Sequence, residues 1–168
     1  AGWREMIADL GMQRPPGYYE ARYDELIIEE YRRSSMAEPG AVELVRGLRE
    51  RGTPIAVASS SRRTWVGACL EAIGLAGAFG VLATGSDIER GKPAPDIYLL
   101  TAERLGMEAR RCLAIEDAPA GIVSAKAAGM TCWAVRTEYT AGLALPDPHR
   151  EFARIGDIHP DAIVGVAA

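Results

Sequence analysis

Three apolar segments of this sequence are each followed by residues that could bind a phosphoryl group or a metal ion. Ser59 and Ser60 follow the segment PIAVA. Lys92 lies in a loop after GVLAT, and the pair Glu116 and Asp117 ends the segment CLAIED. Hydroxyls and backbone N–H groups at a helix start bind anions, an ammonium group neutralises them, and carboxylates are ligands that Mg²⁺ combines with a substrate phosphate. Together these residue types indicate phosphoryl chemistry assisted by Mg²⁺.

Each of these groups also has an explanation that involves no ligand. A serine at a helix start can be an ordinary N-cap, a loop lysine can be a solvated surface charge, and acidic residues beside a helix start interact favourably with the helix dipole. Two features favour binding. Lys92 lies between Gly91 and Pro93, and only two of the 19 Lys and Arg residues are lysines. Adjacent carboxylates at the end of an apolar strand repel each other and lose solvation, and a cation between them would offset that cost.

The spacing of apolar residues predicts the elements that must position these groups. Helices are predicted at 2–10, 20–33, 41–51, 62–73, 95–105 and 119–129. Strands are predicted at 54–60, 80–84, 112–117 and 131–136, with a last short strand at 162–166. Strands that alternate with helices over short links are typical of a parallel sheet with helices on both faces. Ligands of such sheets bind beyond the carboxyl ends of the strands, where all three groups are expected.

The composition argues against several other classes of protein. A net charge of -4 without a basic stripe does not favour nucleic acid as a partner, and no apolar run approaches the ~20 residues that span a membrane. The first residues lack the pattern of a secretory signal, so the cytoplasm is the expected location. Cys69, Cys112 and Cys132 are far apart among apolar residues, which favours core positions over disulfides or a metal site. His149 and His159 lie in a polar tail and are expected on the surface.

Three motifs of the sequence resemble those of a known family. VASSS at 57–61, GKPAPDIY at 91–98 and IEDAPAGIVSAKAAGM at 115–130 are similar to motifs of the haloacid dehalogenase-like phosphohydrolases, in particular the branch with phosphoglycolate phosphatase and β-phosphoglucomutase. The resemblance runs from about Pro39 to Arg136. It implies an α/β fold with a three-layer, Rossmann-like core and a small helical cap. The cap is then expected at residues 1–38 and the core at 39–168.

The resemblance also implies a role for each candidate residue. Ser59, assisted by the backbone of Ser60, would bind the transferred phosphoryl group. Lys92 would neutralise charge on the nucleophile and on the phosphoryl oxygens. Asp117 would be a direct ligand of Mg²⁺, and Glu116 would act on the metal directly or through water. These roles agree with the chemistry indicated by the residue types, since both describe electrostatic stabilisation of a phosphoryl group.

The sequence departs from that family at the residue that would start the reaction. The family uses an aspartate nucleophile in a DxDx(T/V) motif at the end of its first strand, which forms an aspartyl-phosphate. No Asp of this sequence is followed by a second Asp two positions later. In the family, that first strand lies between the strands that end here at Ser59 and Glu116. We therefore expect a slot in the core, and a missing segment of at least one strand, ~5–6 residues, with its loop.

The resemblance leaves several functions open. The preferred one is a magnesium-dependent phosphatase that hydrolyses a phosphomonoester of a small metabolite through an aspartyl-phosphate. A β-phosphoglucomutase-like phosphotransferase would accumulate a sugar bisphosphate instead of phosphate, and a dehalogenase would not need the carboxylate pair. A catalytically inactive relative that binds a phosphate-bearing ligand or a partner protein would explain the missing nucleophile. The 28 residues between Leu10 and Pro39 are few for a cap of this branch. Because the cap selects the substrate in such enzymes, the sequence indicates no particular substrate.

Overall fold

The structure is a computed structural model that describes residues 3–164 of the chain. Its helices are α1 (Trp3–Asp9), α2 (Pro16–Ser34), α3 (Ala41–Glu50), α4 (Arg63–Ala72), α5 (Asp96–Leu105), α6 (Pro119–Ala127) and α7 (Pro160–Val164). Its strands are β1 (Ala56–Ser59), β2 (Val81–Thr84), β3 (Leu113–Glu116), β4 (Thr131–Val135) and β5 (Arg150–Phe152). Every element predicted between residues 41 and 136 is present, with ends within two residues of the expected positions.

The differences between prediction and structure concern the two ends of the chain. Helix α2 begins at Pro16 rather than at residue 20, because a proline with its fixed φ is favoured in the first helical turn. The strand predicted at 162–166 is wrong where the structure describes it, since Pro160 starts α7 there and Ile163 is buried against α3. Residues 165 and 166 lie outside the described residues. Strand β5 was not predicted because its three residues include two charged ones.

The strands form two parallel sheets that are not joined in the described part of the chain. Strands β1 and β2 pair in the register Ser59 with Thr84. Strands β3, β4 and β5 form the second sheet, in which Glu116 lies beside Ala134. Between β1 and β3 lies an apolar cavity of about 390 Å³. The slot expected from the sequence is therefore present between these two strands.

Buried side chains cover both faces of the second sheet. On one face, Ile97 of α5 and Ile122 of α6 pack with Cys132 of β4. On the other face, Leu44 of α3 packs with Trp133 of β4. Burial of each such apolar side chain contributes roughly 1.5–3 kcal/mol to folding. The result is the three-layer α/β arrangement predicted from the sequence.

Helix α2 docks onto α4, and α1 contacts α2. Asp24 of α2 accepts a hydrogen bond from the indole Nε1 of Trp65 at 2.9 Å and an ion-paired hydrogen bond from Arg62 at 2.6 Å. The ring of Tyr23 meets Trp65 edge-on, with 5.7 Å between centroids. Polar and aromatic contacts thus hold α2 close to the end of β1. The division into a cap at 1–38 and a core at 39–168 stays a prediction.

The longest described helix is α2, with 19 residues. It contains charged side chains along its length, and no helix among residues 3–164 is long and apolar enough to cross a membrane. Both histidines, His149 and His159, are exposed as predicted. No disulfide joins the cysteines, of which Cys132 is buried while Cys69 and Cys112 are half-buried.

Candidate active site

The three groups predicted from the sequence lie around the carboxyl ends of β1 and β3. Ser59 is the last residue of β1 and Glu116 the last residue of β3, with Asp117 directly after it. Lys92 reaches this edge from the loop between β2 and α5. Its ammonium donates a hydrogen bond to the backbone oxygen of Ala58 at 3.2 Å and forms an ion pair with Glu116 Oε1. The tertiary fold therefore bridges the gap between the two sheets with a lysine.

The Lys92 ammonium is largely shielded from water and has three protein acceptors. Its side chain is 13% exposed and that of Glu116 is 9% exposed. The acceptors are the oxygen of Ala58, Glu116 Oε1 and the hydroxyl of Tyr98 at 3.3 Å. An ammonium group has three N–H donors, so each donor has an acceptor. A desolvated ion pair of this kind is stable only when such additional hydrogen bonds complete it.

Tyr98 is a member of the site that the sequence analysis did not identify. It lies in the first turn of α5, is 5% exposed, and its hydroxyl donates a hydrogen bond to Glu116 Oε1. The ammonium of Lys92 lies 4.9 Å from the centre of its ring. Burial, and then the neighbouring Glu116 carboxylate, raise the pKa of Tyr98 far above its ordinary value, so the hydroxyl keeps its proton. The sequence signal was its place at the end of the motif GKPAPDIY, together with the rule that a buried tyrosine hydroxyl needs a partner.

The loop that holds Lys92 is fixed at both sides. Arg90 forms two hydrogen bonds with the carboxylate of Asp96, at 2.9 and 2.7 Å, and this contact lowers the pKa of Asp96. The hydroxyl of Ser124 in α6 donates a hydrogen bond to the backbone oxygen of Ala94. These contacts tie the loop to α5 and α6. They position the backbone of Lys92, while Tyr98 and Glu116 position its ammonium.

Ser59 does not cap the helix that follows it. The N-cap position of α4 is Arg62, three residues further on. The Ser59 hydroxyl accepts a hydrogen bond from the backbone N–H of Ser61 at 3.2 Å, and its own proton can still be donated. Ser60 is exposed at the same edge. The alternative that Ser59 is only an N-cap does not apply in this structure, although its phosphoryl-binding role stays a prediction.

The two adjacent carboxylates have different surroundings. Glu116 turns back against the first turn of α6, where a Cβ on Gly121 would overlap its carboxyl group. Asp117 is half-buried, and its Oδ2 accepts a hydrogen bond from the hydroxyl of Thr137 at 3.4 Å. The sequence analysis expected a cation beside this pair. For Glu116, the ammonium of Lys92 already provides one.

The donor set fits Mg²⁺ only in part. Within residues 3–164 there is no cluster of three or more His, Cys, Asp or Glu side chains that could hold a metal ion. Mg²⁺ usually takes one or two carboxylates and completes its shell with water and substrate phosphate. Asp117, with Glu116 beside it, satisfies that requirement. Their role as ligands of Mg²⁺ stays a prediction, and Asp117 is the carboxylate less engaged by other side chains.

Comparison with known proteins identifies the family to which these motifs correspond. Residues 2–129 match the model of the haloacid dehalogenase-like hydrolases. YhcW of Bacillus subtilis is 40% identical over 114 residues, which are 68% of this chain and 52% of that protein. Hexitol phosphatase A of Escherichia coli is 42% identical over 93 residues, 55% of this chain and 43% of that enzyme. The chain thus spans about half the length of these relatives.

A solved structure shows the same arrangement of elements. The crystal structure of CbbY from Rhodobacter sphaeroides in complex with phosphate superposes with a TM-score of 0.84 at 25% sequence identity. The match covers 98% of this chain and 78% of that chain. The parallel sheets and the helices on their faces therefore correspond to those of an established fold.

Proposed function

This chain belongs to the haloacid dehalogenase-like hydrolases, and we propose that it contains the phosphoryl-binding edge of a magnesium-dependent phosphatase. The substrate class is a phosphomonoester of a small metabolite. The observation on which this rests is the shielded ammonium of Lys92, held by Ala58 and Glu116 where β1 and β3 end. Hexitol phosphatase A and the phosphate complex of CbbY support the same chemistry.

Lys92 acts on the phosphoryl group through its charge. An ammonium that is largely removed from water interacts more strongly with phosphoryl oxygens than an exposed one, because little solvent screens it. Since Glu116 and Ala58 hold it in place, it does not need to be ordered during the reaction. The Ser59 hydroxyl donates to a second phosphoryl oxygen. These two groups bind and orient the phosphoryl group.

Asp117 is the proposed carboxylate ligand of Mg²⁺, with Glu116 as the second candidate. When bound, Mg²⁺ supplies positive charge to the phosphoryl oxygens. The Thr137 hydroxyl lies 3.4 Å from Oδ2 of Asp117, as a long hydrogen bond to that carboxylate. No described residue is assigned as the nucleophile, because the sequence contains no Asp-x-Asp motif.

A cytoplasmic location is part of the proposal. It is supported by the three unpaired cysteines, because reduced thiols are typical of that compartment. Burial raises the pKa of the Cys132 thiol to about 11, so this cysteine stays a protonated core residue at neutral pH. The proposed partner is a small phosphorylated metabolite.

The test is the release of inorganic phosphate from a panel of small phosphomonoesters, with Mg²⁺ and with EDTA. We expect magnesium-dependent release by the protein expressed from its full reading frame. Lys92→Ala should reduce kcat by about a thousandfold, since one such electrostatic group supplies on the order of 4 kcal/mol. Asp117→Asn should weaken both Mg²⁺ binding and turnover, and excess Mg²⁺ should restore part of the loss.

The other lysine provides the matched control. Lys126 lies in the last turn of α6 and pairs with Asp147 on the surface, so Lys126→Ala should retain full activity. Absence of phosphate release from every ester would refute the phosphatase, as would a Lys92→Ala variant as active as Lys126→Ala. Accumulation of a sugar bisphosphate would instead indicate a phosphotransferase. Phosphate binding without turnover would indicate an inactive relative.

A further inference from the structure

Tyr98 contacts both charged partners of the ion pair at the strand edge. Its hydroxyl donates to Glu116 Oε1 and lies 3.3 Å from the Lys92 ammonium. Glu116 Oε1 therefore accepts from two donors at once, the ammonium and the phenol. The three groups form one closed set of hydrogen bonds between α5, β3 and the loop before α5.

The phenol ring is buried among side chains of the core and also lines the cavity between β1 and β3. Tyr98 is 5% exposed and belongs to the same buried cluster as Ile97 and Ala102 of α5. A tyrosine side chain has only two rotatable χ angles, so its hydroxyl has few alternative positions. The long Lys92 side chain has four rotatable bonds and depends on its contacts for its position.

We propose that Tyr98 is a positioning residue for Lys92, holding the ammonium and the Glu116 carboxylate at the ends of β1 and β3. This inference rests on the proposed function, because Lys92 is the group that would stabilise the phosphoryl oxygens. Tyr98 itself does not touch the substrate. Without its hydroxyl, Glu116 Oε1 loses one of its two donors, and the carboxylate and ammonium can shift together away from the strand ends.

A purely structural role predicts something different. If Tyr98 served only to fill the core, its ring would matter and its hydroxyl would not. The substitution Tyr98→Phe keeps the ring and removes the hydroxyl alone. Tyr18→Phe is the matched control, since Tyr18 lies in α2 and is 55% exposed.

The first readout is independent of catalysis. Because Lys92 and Lys126 are the only lysines, trace labelling with an amine-reactive acetyl ester at one fixed pH, followed by peptide mass spectrometry, reports their relative accessibility. Lys126 serves as the internal reference. Loss of one hydrogen bond should raise the Lys92 to Lys126 labelling ratio roughly 3- to 10-fold in Tyr98→Phe, and leave it unchanged in Tyr18→Phe.

The second readout is steady-state kinetics of the full-length protein with p-nitrophenyl phosphate and Mg²⁺. Tyr98→Phe should lower kcat about tenfold, because a hydrogen bond to a charged group is lost, with KM changed less than about twofold. An unchanged labelling ratio in a folded Tyr98→Phe protein would overturn the proposal. If that variant does not fold, Glu116→Gln replaces it and should raise the same ratio; an unchanged ratio there would also overturn the proposal. If the wild-type protein releases no phosphate, the proposed phosphatase function is refuted. A higher Lys92 to Lys126 labelling ratio in Tyr98→Phe than in that wild-type protein would still support the positioning role.

Discussion

The substitution Gly121→Ala tests how Glu116 is held. Alanine in place of a helical glycine usually stabilises a protein, but here we expect it to lower the free energy of unfolding. Gly121 lies in the first turn of α6, and a Cβ at this position would overlap the carboxyl group of Glu116. Glycine to alanine in a helix normally increases stability by up to about 1 kcal/mol. Here the methyl group must displace a shielded carboxylate that Lys92 and Tyr98 hold in place.

The expected loss follows from the contacts that the methyl group disturbs. Overpacking of a closely packed site costs about 1–3 kcal/mol. Weakening a hydrogen bond to a charged group costs a further 1.5–3 kcal/mol or so. After subtraction of the helix-propensity gain of about 1 kcal/mol, Gly121→Ala should lower the free energy of unfolding by about 1.5–5 kcal/mol. For a chain of this length that is a decrease in Tm of roughly 3–20 °C.

Urea denaturation followed by circular dichroism measures this difference. Gly67→Ala is the matched control, since Gly67 lies within α4 and an added Cβ would contact nothing within 4 Å. The control should be as stable as wild type or up to about 1 kcal/mol more stable. If Gly121→Ala proves as stable as Gly67→Ala, the carboxylate does not occupy the space against α6, and the geometry assigned to Glu116 is wrong.

Two further predictions concern groups outside the candidate active site. Hydrogen bonding by Arg104 and other neighbours lowers the pKa of Asp87 in the folded protein well below its ordinary value of 3.8. The unfolded chain therefore binds a proton at this residue at a higher pH than the folded chain does. The stability that ionised Asp87 contributes is lost as the pH falls below about 4. Asp87→Asn should therefore lose less stability than wild type between pH 5 and pH 3 in urea titrations; parallel curves would contradict this. Asp24→Ala should lower the free energy of unfolding by about 1 kcal/mol, because its hydrogen bond with Trp65 is lost. Glu25→Ala is the control and should have no measurable effect, because the ion pair of Glu25 with Arg22 is exposed. Equal effects of the two substitutions would show that Asp24 does not help to dock α2.

The strand-end residues were predictable from the sequence because the signals are local. Alternation of apolar segments with helical periodicity indicated a parallel sheet, and the carboxyl ends of parallel strands lie at one edge. Ser59, Lys92 and Glu116 could therefore be assigned to the same edge without coordinates. Proline and glycine at helix ends set most boundaries correctly, as at Pro119 and Gly106.

The errors arose where local preference and tertiary contact disagree. The segment AIVGV has the apolar, β-branched composition of a strand, yet its first residues lie in α7 because Ile163 is buried against α3 there. Strand β5 has no apolar pattern, and it exists because its backbone completes the ladder of β4. Such pairing depends on which strand is a neighbour, and a short segment contains no information about that.

By itself, the sequence determined the order of elements between residues 41 and 136, the edge at which the polar groups lie and the family, because motifs and periodicity are properties of neighbouring residues. Only the tertiary structure decided which partner each group has. It placed the Lys92 ammonium on Glu116 and brought the Tyr98 hydroxyl to the same carboxylate oxygen. It also gave the neighbouring Asp117 a different partner, since the Asp117 carboxylate accepts a hydrogen bond from Thr137 and not from Lys92 or Tyr98. The physical reason is that these contacts join residues from different elements, and their geometry is set by how the helices pack on the sheets.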